Sequence, residues 1–130
     1  MGASISGAHK GWFTTSIYGA FGAAAAAAKL MKLDATATQH ALGIALSQSA
    51  GTQQSNIEQA LTKRLQGAFA ARAGVFSAQL AQRGITAPRD ALEGKFGLFA
   101  LYQEGHPLKI LDGLDRKSTR LNSSHVSESR

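Results

Sequence analysis

Apolar positions between Gly11 and Asp34 follow a helical period. They recur every three or four residues and so fall on one face of a predicted helix, at Ile17, Phe21, Ala24, Ala28 and Met31. Six consecutive alanines at positions 23–28 favour the helix strongly enough to offset the glycines at 19 and 22. Because residues 14–28 carry no charge, we expect this helix to be buried against other helices. A membrane-spanning helix is the alternative, but the uncharged run is short and poor in Leu, Ile and Val.

Two further helices are predicted after this one. Asp34 is placed to cap a helix over residues 36–50, and the short link at 32–34 makes it an antiparallel neighbour of the first. Its narrow face consists mostly of small side chains, at Thr38, Ala41, Leu42, Ala45, Leu46 and Ser49. Residues 51–56 are polar and predict a loop. The longest helix is expected over residues 57–83, with an apolar stripe at Leu61, Leu65, Phe69, Phe76 and Leu80, in which Ala73 fills the gap.

The remainder of the body is broken by glycine and proline. Gly84 suits the left-handed position after a helix, and Pro88 suits the first turn of a short helix over residues 87–94. Residues 96–102 predict one more short buried segment, and residues 108–111 a last apolar patch. No alternating pattern of strand length occurs, so the predicted fold class is all-α.

The length of 130 residues suffices for one domain with a core, which we place at residues 1–114. Residues 115–130, DRKSTRLNSSHVSESR, hold only two apolar side chains and are expected to be disordered. They are similar to a read-through translation of cloning or adapter DNA, and a natural disordered tail is the alternative. The chain contains no cysteine and no visible signal peptide, which fits a reducing compartment, and we expect a cytoplasmic protein. The start of the chain, MGASISGAHKG, consists mainly of small residues, and we expect the chain to be an internal piece of a larger protein.

The net charge of +6 invites comparison with nucleic-acid-binding proteins. The basic residues are scattered through the body, however, and the only adjacent pair there is Lys63 and Arg64. No arginine-rich helix, zinc knuckle or aromatic RNA-binding motif occurs. We therefore expect a solvated basic surface and no nucleic-acid partner, and we keep a nucleic-acid binder only as a rival hypothesis.

Few residues carry chemistry in an obvious pattern. The four histidines do not stand at metal-ligand spacing, and each is expected to be structural or solvated: His9, His40, His106 and His125. No phosphate-binding loop or nucleophile elbow is present. Lys63 follows the polar loop near the start of the longest helix, where a lysine could bind a carboxylate as a point charge. A surface lysine exposed to water is the alternative, and spacing alone favours it.

Several segments, taken in order, carry a family resemblance. They are GWFTTSIYGAFGAAAAAAKL (residues 11–30), LD (33–34), HALGIA (40–45), TKRLQ (62–66), AARAG (70–74) and LEGKFG (92–97). This ordered series resembles the MmgE/PrpD family, which includes 2-methylcitrate dehydratase and cis-aconitate decarboxylase. The resemblance extends over about residues 10–112, nearly the whole body.

The resemblance implies an enzyme rather than a binding module. Members of the family are much longer homodimers with a helical large domain and a smaller α/β lid domain. They eliminate water or carbon dioxide from small di- or tricarboxylic acids without a metal or an organic cofactor. This chain would be an internal fragment of the helical domain of such a lyase. The alternative is a catalytically inactive helical module for assembly or dimerisation.

Three site residues follow from the same resemblance. The family's Thr-Lys motif places an active-site lysine at Lys63, where it would hold a substrate carboxylate. Phe13 stands where the family has an active-site histidine, and Gln66 where many members have another, so both are expected to border the substrate. Phenylalanine cannot transfer a proton and glutamine cannot titrate. These two departures imply a divergent subgroup with another substrate or with different catalytic residues.

Overall fold

The computed structural model describes residues 11–102 of the chain, which form five helices. They are α1 (Thr14–Leu30), α2 (Ala35–Gln48), α3 (Gln54–Ile57), α4 (Thr62–Gln82) and α5 (Leu98–Tyr102). Within this part of the chain there is no strand, and the one β-type pairing is an isolated antiparallel bridge between Trp12 and Thr52. The predicted all-α class is confirmed.

Helix α1 lies at the centre and packs against both α2 and α4. Its large apolar side chains form one cluster with α2 and α5, whose buried members are Ile17, Tyr18, Phe21, Ala24, Ala45 and Leu98. A second cluster towards its C-terminal end is built almost wholly from alanine, at Ala27, Ala28, Ala41, Ala78 and Ala81. The predicted face of α1 is therefore buried, although Met31 at its end is only partly so.

The contact between α1 and α4 is close because both helices present small residues to it. A Cβ atom on Gly74 would lie 2.5 Å from the backbone nitrogen of Ala24 and 2.6 Å from the carbonyl oxygen of Ala20. At Gly19 a Cβ would lie 3.3 Å from that of Ala70. The predicted burial of α1 against other helices is confirmed, and the exposed part of this helix is confined to residues such as Gly22 and the two alanines at positions 25 and 26.

Helices α1 and α4 end with the same pattern of backbone hydrogen bonds. After α1, Lys32 adopts a left-handed φ of 56°, and the N–H of Leu33 donates to the carbonyl of Ala28 at 3.0 Å. After α4, Gly84 has a φ of 90°, and the N–H of Ile85 donates to the carbonyl of Leu80 at 3.1 Å. Both are six-residue closures of the Schellman type. The left-handed role predicted for Gly84 is confirmed.

The cap predicted for the second helix is also present. The side chain of Asp34 accepts a hydrogen bond from the N–H of Ala37 at 2.8 Å, so it satisfies one of the free donors of the first turn. Helix α2 then packs against both α1 and α4. Its buried face holds only small residues, at Ala41, Gly43 and Ala45.

Three local predictions were wrong. The polar segment 51–56 contains the short helix α3, and α4 begins at Thr62 rather than 57 because Gln59 takes a left-handed φ of 55°. Residues 87–94 form turns instead of a helix, with the N–H of Gly94 donating to the carbonyl of Asp90 at 2.9 Å. In the segment 96–102 Leu98 is buried, but Phe96 is 71% exposed. The apolar patch at 108–111 and the tail at 115–130 lie outside the described residues.

The apolar stripe predicted for the longest helix is real but faces outward. Leu61, Leu65, Phe69 and Phe76 are between 43% and 77% exposed, and Leu80 is partly buried. The buried face of α4 consists of smaller or polar side chains, at Gln66, Ala70, Gly74, Ser77, Ala78 and Ala81. Close approach of the α1 backbone admits only such residues, so the bulky ones are left on the opposite side.

Candidate functional site

A buried carboxamide in the second turn of α4 is the most unusual polar feature of the described chain. Gln66 is only 7% exposed. Its Nε2 donates to the carbonyl oxygen of Thr52 at 3.1 Å and to the hydroxyl of Ser55 at 2.5 Å. Because a carbonyl oxygen can only accept, the bond to Thr52 fixes which end of the carboxamide carries the nitrogen. Both amide hydrogens are thus used within the protein.

The other end of the same carboxamide is different. The Oε1 of Gln66 is buried and accepts no hydrogen bond from any group of residues 11–102. Gly51 closes over it, with a left-handed φ of 124°. A Cβ there would lie 2.8 Å from Gln66 Oε1 and 2.8 Å from the Ser16 hydroxyl oxygen. A larger residue at position 51 would therefore push the loop away from the helices.

Ser16 joins the first helix to this loop. It is 4% exposed, and its hydroxyl donates to the carbonyl of Ala50 at 2.6 Å, with the carbonyl of Gln66 at 3.3 Å as a second acceptor. Backbone bonds hold the loop against the residues before α1. The N–H of Phe13 donates to the carbonyl of Gly51 at 3.0 Å, and the N–H of Gln53 donates to the carbonyl of Gly11 at 2.8 Å.

An open groove of about 950 Å³ begins at this polar cluster and runs beside α4. Gln48 lies in its wall, and its Nε2 donates to the carbonyl of Ala73 at 3.3 Å and to the hydroxyl of Ser77 at 2.7 Å. Arg72 also lines it, with the guanidinium carbon 5.4 Å from the centre of the Phe69 ring. The lining residues are Ser16, Gln48, Ala50, Gly51, Gln66, Phe69, Ala70, Ala71, Arg72, Ala73, Val75, Phe76 and Gln79.

The three residues singled out from the sequence do not meet in this groove. Gln66 lines it. Phe13 is the residue before α1, where the backbone is extended, and its side chain is partly buried. Its backbone N–H donates to the Gly51 loop. Lys63 is exposed in the first turn of α4 and is not part of the groove lining. The geometry therefore joins Phe13 and Gln66 through one loop and leaves Lys63 at the solvent side.

Three residues of this region were missed from the sequence. Ser16 lies inside the segment 11–30 that carried part of the family resemblance and Gly51 inside none, and both gain their role from contacts 35 positions apart along the chain. Arg72 lies inside the segment AARAG that carried part of the family resemblance, but nothing in its spacing marked it as the cation of a groove. The only signal in the sequence for this region was Gly51, a glycine that begins a polar segment after a predicted helix.

Other chemistry-bearing residues have structural explanations. The Nδ1 atom of His40 accepts from the N–H of Ala87 at 3.1 Å, which ties α2 to the turns after α4. Between residues 11 and 102 no three His, Cys, Asp or Glu side chains converge as a metal site would require. Across the same residues, none of the helices has the length and hydropathy needed to cross a membrane.

Comparison with known proteins decides the family. Residues 1–111 match the MmgE/PrpD N-terminal domain. The chain belongs to the MmgE/PrpD family. Among curated relatives, a cis-aconitate decarboxylase-like protein, oryM, of Aspergillus oryzae (strain ATCC 42149 / RIB 40) is 36% identical over 98 residues, which are 75% of this chain and 20% of that protein. Cis-aconitate decarboxylase of Aspergillus terreus is 36% identical over 91 residues, 70% of this chain and 18% of that enzyme. The match thus spans about a fifth of the length of these relatives.

Proposed function

We propose that this chain is part of a lyase that needs no cofactor and that eliminates water or carbon dioxide from small di- or tricarboxylic acids. The observation that carries the proposal is the family match over residues 1–111, together with relatives named cis-aconitate decarboxylase. In such a reaction a base removes a proton beside a carboxylate, and a cation stabilises the charge that develops as the leaving group departs. We further propose a cytoplasmic homodimer as the working form of the longer enzyme, with no nucleic-acid partner.

Lys63 is the cation in this proposal. Its position in the first turn of α4 adds the positive end of a 21-residue helix to its own charge. A carboxylate docked there would meet both. Since the ammonium group is exposed, it can reach a substrate that enters from the solvent side without leaving a buried charge unpaired.

In this proposal Gln66 can accept a hydrogen bond from a substrate but cannot donate one. Because both amide hydrogens are bonded to Thr52 and Ser55, the carboxamide cannot donate to a substrate carboxylate. Only Oε1 remains, and it accepts from a hydroxyl or a protonated acid. Phe13 supplies apolar surface and no proton transfer. We assign no residue to the catalytic base.

The experiment that tests this proposal is a titration of the 130-residue chain with cis-aconitate, citrate and 2-methylcitrate, followed by calorimetry and NMR. Lys63→Ala is expected to weaken binding at least tenfold, about 1.4 kcal/mol. Arg83→Ala is the matched control, since it removes one positive charge from the far end of the same helix. Equal loss in both variants, or no binding by the wild-type chain, would contradict the assignment of Lys63.

The assembly module is the second candidate, and one observation favours it. Three bulky apolar residues of α4, Leu65, Phe69 and Phe76, are exposed along one side of the helix, and so is Leu61 just before its first residue. A helix face of this kind is typical of a surface that meets another protein surface. Dimerisation of the chain in the absence of any carboxylic acid would support this function.

A further inference from the structure

The hydroxyl of Ser55, in the short helix α3, has a hydrogen to donate that the described chain does not use. Gln66 Nε2 donates to the Ser55 oxygen at 2.5 Å, and the bond from the same nitrogen to the Thr52 carbonyl fixes the nitrogen's identity. The Ser55 oxygen is therefore the acceptor in this contact, and its own hydrogen is left for another group. Within residues 11–102 no acceptor receives that hydrogen. Since Ser55 is only partly buried, the hydrogen is available to a molecule outside the fold.

Lys63 lies at the same end of α4 as this hydroxyl. Residues 63 and 66 are three apart on one helix, so their Cβ atoms are neighbours, about 5–6 Å apart. The backbone joins the same two places, because the N–H of Ala60 donates to the Ser55 carbonyl at 2.9 Å and the N–H of Lys63 donates to the Ala60 carbonyl at 3.2 Å. The flexible stem of Lys63 gives its ammonium group access to the space in front of Ser55.

This corner of the molecule is separate from the groove beside α4. Neither Ser55 nor Lys63 belongs to the groove lining, and the cation there is Arg72, whose guanidinium already lies over the Phe69 ring. The acidic residue between the two corner residues in sequence is Glu58, and its carboxylate accepts a hydrogen bond from Gln54. Lys63 forms no ion pair with a described residue, so its charge is available to an added carboxylate.

From these contacts we propose that Ser55 is a substrate-binding residue, whose hydroxyl donates to the carboxylate that Lys63 holds. The inference rests on the lyase function proposed above and adds a second contact to its substrate. An ammonium group attracts a carboxylate as a point charge, whereas a hydroxyl held by the protein also fixes a direction. Gln66 is the positioning residue, since its buried amide holds the Ser55 oxygen and leaves the hydrogen on the outer side.

Calorimetric titration of the full chain with cis-aconitate tests the role of Ser55. Ser55→Ala should weaken binding about tenfold, because a hydrogen bond to a charged group is lost. Ser55→Thr keeps the hydroxyl and should bind with nearly the wild-type affinity. Ser47→Ala is the matched control, since it removes an exposed serine hydroxyl from α2. All three variants should keep the wild-type circular dichroism spectrum. Equal affinities of Ser55→Ala and Ser47→Ala, or a loss in Ser55→Thr as large as in Ser55→Ala, would overturn the proposal.

A double-mutant cycle shows whether Ser55 and Lys63 hold one carboxylate. Two groups on the same carboxylate are coupled, so the double alanine variant should lose less affinity than the two single losses predict. Additive losses would overturn the shared site, and a loss in Arg72→Ala without one in Ser55→Ala would place the carboxylate in the groove. A loss in Lys63→Ala alone would refute this inference and leave the lyase proposal intact. No binding by the wild type would contradict both.

Discussion

Position 66 illustrates how one side chain ties together three parts of the chain. A carboxamide has two N–H groups, and Gln66 directs both to the loop between α2 and α4, at Thr52 and Ser55. A neutral imidazole, which the family resemblance implies at this position in many members, has only one N–H group and could donate to only one of these two oxygens. Gln66 holds the loop in place whether or not it meets a substrate.

Gln66→Glu tests that tie because it changes the hydrogen bonds and almost nothing else. A carboxylate has no hydrogen to donate, so the carbonyl of Thr52 loses its donor and faces a buried charge. We expect the free energy of unfolding in urea to fall by about 2 kcal/mol or more. The matched control is Gln79→Glu, an exposed glutamine of the same helix, which should change stability by less than about 0.5 kcal/mol. Equal effects would show that the buried bonds contribute nothing measurable.

Two glycines of α4 are expected to respond to alanine with opposite signs. Gly74→Ala drives a methyl group into the α1 backbone at Ala20 and Ala24, and should destabilise the fold by about 1–3 kcal/mol. At Gly67 an added Cβ meets nothing within 4 Å. Alanine there should stabilise the fold by about 0.5–1 kcal/mol, through helix propensity alone. Urea denaturation of both variants checks the pair, and a neutral Gly74→Ala would mean that the two helices separate without cost.

At the residue scale, the sequence predicted where the site residues lie better than it predicted what their side chains do. The resemblance pointed to position 66, and periodicity put it on a helix. The partners of Gln66 are set by a loop whose path depends on Gly51 and Ser16, which no local pattern reveals. Lys63 was identified from a motif, and its exposure also agrees with the alternative weighed for it, a lysine facing water. Side-chain roles of this kind depend on tertiary contacts that spacing alone does not encode.

Helix ends are the clearest case at the element scale. Helices α1 and α4 end in the same six-residue closure, but one uses Lys32 and the other Gly84 for the left-handed position. A side chain with a Cβ is strained there by about 1 kcal/mol, whereas glycine is not. The first helix therefore tolerates a strain that the longest helix avoids.

This difference predicts a pair of substitutions with opposite effects. Lys32→Gly should raise stability by about 0.5–1 kcal/mol, because the strain is relieved and the closing hydrogen bonds are kept. Gly84→Ala should lower stability by a similar amount. Thermal and urea unfolding of the two variants gives the comparison. If Lys32→Gly is destabilising, the entropy that glycine adds to the unfolded chain outweighs the strain.

The elements themselves were largely predictable, with two instructive exceptions. Periodicity and capping at Asp34 located α1, α2 and α4 to within a few residues. Periodicity also identified the apolar row of α4 that contains Leu65, Phe69 and Phe76, but it cannot say whether a face is buried. The small residues at Ala70, Gly74 and Ala78 form the buried face because the α1 backbone comes close. Around Pro88 the sequence allowed a helix, and the chain instead forms turns tied to α2 through His40.

At the scale of the whole molecule, three helices pack closely around small residues and leave one side of α4 uncovered. The two buried clusters follow one another along α1, and neither includes the phenylalanines of α4. The matched region spans about a fifth of the length of its relatives. If the chain is part of a longer lyase, as proposed above, the exposed apolar face next to the groove is a surface that the rest of that enzyme would cover.

In the assembly function, dimerisation through the exposed apolar side of α4, at Leu65, Phe69 and Phe76, would make stability depend on protein concentration. When only the folded chain associates, mass action favours the folded dimer as concentration rises. We expect the melting temperature of the full chain to rise by several degrees between about 1 and 100 μM, since each tenfold change in concentration is worth about 1.4 kcal/mol per mole of dimer. The measurement is differential scanning calorimetry of the wild-type chain and Phe76→Glu.

Phe76→Glu supplies the contrast, because it should melt at one temperature over the whole concentration range. Gln82→Glu adds the same charge to an exposed position on another side of α4 and should follow the wild type. A carboxylic acid held at Lys63 raises the melting temperature in a different way, with the ligand concentration rather than the protein concentration. The assembly and lyase functions are therefore separable in a single set of scans. A wild-type melting temperature that does not change with protein concentration would contradict dimerisation through this side of α4.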